Sequence, residues 1–63
     1  MKVEIHKILN NNTISDGYNV LITNIDTNDG IFRLFGLQYG FTMEKVEGDI
    51  YQNQYGVKFI VIR

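Results

Sequence analysis

Polar and apolar residues alternate along residues 2–9, KVEIHKIL, with Val3, Ile5 and Leu9 on one parity and Lys2, Glu4 and His6 on the other, and with Lys7 and Ile8 breaking the rule near the end. A period of two predicts a half-buried strand. Asn10-Asn11-Asn12-Thr13 ends it, because Asn side chains bond their own backbone and tolerate left-handed conformations; Ser15-Asp16-Gly17 adds further turn formers. Residues 18–26, YNVLITNID, then carry β-branched and aromatic residues at strand density, with Tyr18, Val20 and Ile22 on one face and Leu21 and Ile25 on the other.

Thr27-Asn28-Asp29-Gly30 contains the Asp-Gly pair favoured in tight hairpins, so residues 18–26 are expected to pair with a strand over residues 31–37. Ile31, Leu34 and Phe35 also fit a short helical face capped by Asp29, but Gly36 inside it costs about 1 kcal/mol, and strand is the preferred reading. After Gly40, FTMEKVEGDIYQ alternates through Phe41 and Met43 and then changes phase, which a bulge near Lys45 or a turn at Gly48-Asp49 explains. Asn53-Gln54-Tyr55-Gly56 reads as a loop, and Val57 to Arg63 as the last strand. No proline bars any of these strands from a sheet interior. The expected fold is all-β: one domain over residues 1–63, with five short antiparallel strands forming a curled sheet or an SH3-like or OB-like barrel.

A strand lining a barrel has one apolar and one polar parity. Residues 30–41, GIFRLFGLQYGF, break that rule: Ile31, Phe35, Leu37, Tyr39 and Phe41 share one parity, and Phe32 and Leu34 take the other. The last strand likewise sets Val57, Phe59 and Val61 against Ile60 and Ile62. With Ile31, Phe35 and Leu37 assigned to the core, Phe32, Leu34, Ile60 and Ile62 are expected to form a second apolar surface. Burying each contributes ~1.5–3 kcal/mol, and a contiguous exposed patch of this kind marks an association surface. A helix or bulge turning both sets inward is the competing explanation.

Composition narrows the function classes. At 63 residues, with no cysteine for a disulfide or a thiolate metal site, stability must come from packing, oligomerisation or a partner. A hydrophobic fraction of 44% argues against a disordered tail. Six basic and seven acidic residues give a net charge of −1, which disfavours nucleic acid as a partner. Met1 to His6 lacks the apolar run of a signal peptide and no stretch has the ~20 apolar residues of a membrane span, so a soluble cytoplasmic protein is expected.

Candidate chemistry is sparse. His6 and Ser15 each stand alone of their type, His6 on a polar strand parity and Ser15 among turn residues. Asp26-Thr27-Asn28-Asp29-Gly30 lacks the glutamate that closes a calcium loop; Leu37 and Gln38 stand there. Gly36 and Gly40 lack the lysine of a phosphate-binding loop. The expectation is therefore no enzyme, no metal and no cofactor. Glu44, Glu47 and Asp49 form the densest acidic group and are expected to be a contact surface.

Residues 33–46, RLFGLQYGFTMEKV, are similar in outline to the segment R-L-x-x-L-G-L-x-P-G-x-x-x-x-V of FeoA-type SH3-like domains, which assist ferrous-iron transport or form the tail of metal-dependent repressors. Gly36, Leu37 and Gly40 match, and Tyr39 replaces the proline. The resemblance implies an SH3-like barrel. Tiny cysteine-free chains rich in Asn and Ile also recur among phage and mobile-element accessory proteins, including inhibitors of host enzymes. The expected function is a small non-enzymatic binding protein that forms a homo-oligomer and binds or inhibits a larger host protein. The alternative is a small barrel that stacks the bases of single-stranded nucleic acid on Tyr18, Tyr39, Tyr51 or Tyr55.

Overall fold

A computed structural model describes residues 2–11, 13–14, 20–22 and 24–63. It contains β1 (Lys2–Ile8), β2 (Val20–Ile22), α1 (Asn28–Tyr39), β3 (Glu44–Glu47), β4 (Ile50–Gln52) and β5 (Lys58–Ile62). Strands β1, β5, β4 and β3 lie side by side as an open antiparallel sheet, and the three-residue β2 pairs along the outer edge of β1. The helix lies on one face. No helix among the described residues is long and apolar enough to cross a membrane.

The sheet is not closed, so the SH3-like or OB-like barrel, and the barrel implied by the FeoA resemblance, are not what forms. The decisive difference is α1, which occupies the residues expected to be a hairpin turn and its second strand. Thr27 is the N-cap: its Oγ1 accepts a hydrogen bond from the Gly30 amide at 3.1 Å, and its carbonyl accepts from the Ile31 amide at 3.0 Å. With that turn helical, Ile31, Phe32 and Phe35 fall on one side, and all three are buried. Ile31, Phe32 and Phe35 of the apparent two-faced strand thus form one buried helical stripe, and Leu34 and Leu37 lie outside it.

Gly36 sits where α1 runs against the returning chain. A Cβ there would lie 2.5 Å from the Phe41 carbonyl oxygen and 3.2 Å from Met43 Cγ, so the close approach requires glycine. The Gly36 carbonyl accepts the amides of both Gly40 and Phe41, and Gly40 ends the helix in the left-handed region at φ 74°. The chain then turns directly into β3.

The core is the space between α1 and the sheet. Val3 and Ile5 of β1, Tyr51 of β4, and Phe59 and Val61 of β5 pack against Ile31, Phe32 and Phe35. The Phe32 ring stacks on Tyr51 with centroids 4.2 Å apart, and Phe35 meets Phe59 edge-on at 5.2 Å. Leu37, expected inside, is 77% exposed because it lies on the outer side of the helix. The phase change after Gly40 comes from both expected causes: the β3–β4 register shifts between Lys45 and Glu47, and Gly48 and Asp49 form the turn.

Candidate functional site: the open face of the sheet

Cross-strand pairing fixes which residues share the face away from α1. Glu4 pairs with Ile62; His6 pairs with Ile60, which pairs with Ile50, which pairs with Glu47. A third row runs Ile8, Lys58, Gln52 and Glu44. Directly paired residues point to the same side of a sheet, so Ile8, Ile50, Ile60 and Ile62 form one apolar strip across β1, β5 and β4. Ile62 is 39% exposed and the other three are half-buried. Charged and polar groups frame the strip: Glu4, His6, Lys58, Glu44 and Glu47. His6 Nε2 lies 2.8 Å from Glu4 Oε1 within this frame.

Of the residues expected in an apolar surface, only the two isoleucines of β5 lie here. Phe32 is buried in the core and Leu34 lies on the exposed side of α1, because a helix rotates residues two apart to different faces. Ile8 and Ile50 replace them. Sequence reasoning missed both, though the even parity of Ile8 beside His6 and Glu4 carried the signal. Glu44 and Glu47 are exposed on β3, at the border of the strip. Asp49 is also exposed, but its carboxylate accepts the Asn28 side-chain amide at 2.6 Å. Asn28 bonds Arg63 as well, so Asp49 helps tie the helix start to the sheet.

The tyrosines separate. Tyr18 lies outside the described residues. Tyr51 is buried against Phe32 and donates its hydroxyl to the Asp29 carboxylate, so its ring is not available to a base. Burial, then the bond to Asp29 and that carboxylate's charge, push the Tyr51 hydroxyl up to about 12. Tyr39 is half-buried and packs on Phe35 at 4.9 Å. Tyr55 is 75% exposed.

Clefts among the described residues flank the sheet, and two of them are well formed. One of about 360 Å³ lies beside α1, between Arg33 and Leu37 on the helix and Phe41 and Met43 on the returning chain. The other, about 890 Å³, lies at one end of the sheet between the β1 end and the 53–57 loop. That loop is organised by Asn53, the one buried polar residue among those described. Its Oδ1 accepts the amides of Tyr55 at 2.9 Å and Val57 at 3.0 Å. Among the described residues no group of three His, Asp or Glu side chains is placed to hold a metal ion. No protein-family model, curated protein or solved structure matches the chain.

Proposed function

We propose that this chain is a non-enzymatic binding protein that works through the open face of its sheet, and that the first occupant of that face is a second copy. The observation supporting this reading is the strip Ile8, Ile50, Ile60 and Ile62, an apolar surface on the side that α1 does not cover. A larger protein, such as the host target of a phage accessory protein, is the other occupant this surface suits. Acidic Glu44 and Glu47 at its border favour a partner with a basic rim.

The expected affinity is modest. Four strands about 4.8 Å apart and three rows deep present roughly 400 Å² per copy, so two copies bury roughly 800 Å², below the standard interface size. Association also has to offset several kcal/mol of lost rigid-body freedom. The pair should therefore dissociate in the micromolar range. Sizing with light scattering over a concentration series tests it: the mass should rise above 7.3 kDa toward twice that value, and Ile60→Asp should hold it at 7.3 kDa with the fold intact. A strict monomer at high micromolar concentration overturns self-association, and loss of fold in both Ile60→Asp and Ile62→Asp overturns the assignment of this face as surface.

A further inference from the structure

We infer that the cleft between α1 and residues 41–43 is a binding site for a small apolar carboxylic acid, its hydrocarbon body against Leu37, Phe41 and Met43 and its carboxylate on Arg33. The cleft lies on the α1 side of the sheet, so it is separate from the isoleucine strip and does not depend on self-association. Its volume is about 360 Å³, at the lower end of the range that small-molecule sites occupy. An apolar cavity of about 150 Å³ takes benzene, so this cleft has room for one ring and a short acid chain, which commits it to a free acid.

The walls supply apolar surface that the fold leaves in water. Leu37, at 77%, is the most exposed large apolar side chain among the described residues, and Phe41 and Met43 across from it are half-buried. A ligand lying between them removes part of all three from water, and the flexible thioether of Met43 adapts to its shape. Phe32 and Tyr51, already buried, close the back of the cleft. The wall opposite the helix is preformed. The Phe41 amide donates to the Gly36 carbonyl at 2.8 Å and the Thr42 amide to Gln54 Oε1 at 2.8 Å, while Gln54 Nε2 donates to the Gly40 carbonyl at 3.3 Å. Binding therefore orders little backbone.

Arg33 sets the charge of the ligand. The lining holds one cation, Arg33, and one acid, Asp29. Asp29 stands four residues before Arg33, the spacing at which a helix pairs opposite charges, yet its carboxylate accepts the Tyr51 hydroxyl and no ion pair with Arg33 forms. Exposed Arg33 makes no ion pair or hydrogen bond among the described residues. Its planar fork of donors matches the two oxygens of a carboxylate. The register keeps other acids away: Lys45 pairs with Tyr51 and so stands on the α1 side, whereas Glu44 and Glu47 pair with Gln52 and Ile50 and face the other way.

The test follows amide NMR shifts of the full chain while adding phenylacetate, its neutral amide phenylacetamide, phenethylamine, acetate, or glycyl-glycyl-phenylalanine. Phenylacetate should shift residues 29–37 and 41–43 with about millimolar affinity, and about tenfold more tightly than phenylacetamide or acetate. Its binding should weaken as salt rises, because the anchoring charge is exposed. Arg33→Gln should remove the preference for the acid over the amide, and Leu37→Asn should weaken both about fivefold. Both side chains are exposed on α1, so an unchanged thermal melt verifies folding. No shift at these residues with phenylacetate overturns the proposal, as does phenylacetamide or acetate binding as tightly as the acid, or phenethylamine binding more tightly. Tripeptide binding about tenfold more tightly than phenylacetate overturns the assignment to a free acid.

Discussion

Replacing Gly36 with alanine sets two physical effects of opposite sign against each other. In an ordinary exposed helix position the change should stabilise by about 1 kcal/mol, the difference in helix propensity. Here the new methyl would stand 2.5 Å from the Phe41 carbonyl oxygen, well inside the distances that real side chains keep. The obstacle is backbone, held by the Phe41 amide bond to the Gly36 carbonyl at 2.8 Å, so it cannot swing aside as a flexible side chain would. Overpacking of this kind costs about 1–3 kcal/mol. Subtracting the propensity gain leaves a net loss of up to about 2 kcal/mol, with the sign set by the clash. For a domain this small, each kcal/mol moves the melting temperature by about 4–8 °C. Thermal denaturation followed by circular dichroism reads the outcome, with Gly40→Ala as a control that meets no atom within 4 Å and loses only its left-handed backbone preference. A Gly36→Ala variant that melts higher than the parent would refute the close packing of α1 on residues 41–43.

The remaining predictions concern the core, the loop and the ionisable tyrosine. Phe32→Ala should cost about 3–5 kcal/mol, comparable with the whole stability of a domain this size, and urea titration should find it largely unfolded; a stable variant would mean that Phe32 is not core. Asn53→Ala strands the Tyr55 and Val57 amides and should cost about 1–3 kcal/mol, with hydrogen exchange accelerated first at residues 53–57. The raised Tyr51 hydroxyl keeps its proton in the folded chain while the unfolded chain loses it, so stability is intact below pH 10 and falls as pH rises through about 12. Within that window each pH step removes up to about 1.4 kcal/mol, and Tyr51→Phe should abolish that part of the alkaline sensitivity in urea melts at pH 9 to 12.

β1 was legible in its alternation, and β5 in its density of β-branched and aromatic residues. The β1 alternation of Val3 and Ile5 against Glu4 and His6 corresponds to buried and sheet-surface positions, and Phe59 and Val61 of β5 are buried as a period of two requires. Residues 28–39 misled because their signals are shared: Asp-Gly suits a hairpin, while Thr27 three residues before Gly30 suits a helix cap. Gly36 argued against a helix on propensity alone. What outweighed that cost is a tertiary contact with Phe41 and Met43, invisible until the chain folds back. The same error carried Phe32 and Leu34 into the candidate surface. Ile60 and Ile62 lie on the open face because β5 is a strand, and their neighbours Ile8 and Ile50 emerge only from the register of three strands.

The central claim is that the face opposite α1 is the working surface, and amide NMR spectra recorded across a concentration series test it most directly. Self-association through the isoleucine strip predicts concentration-dependent shifts centred on Ile8, Ile50, Ile60 and Ile62, with Leu34 and Leu37 on α1 unmoved. Shifts centred on α1, or spectra identical from low to high micromolar concentration, would contradict it.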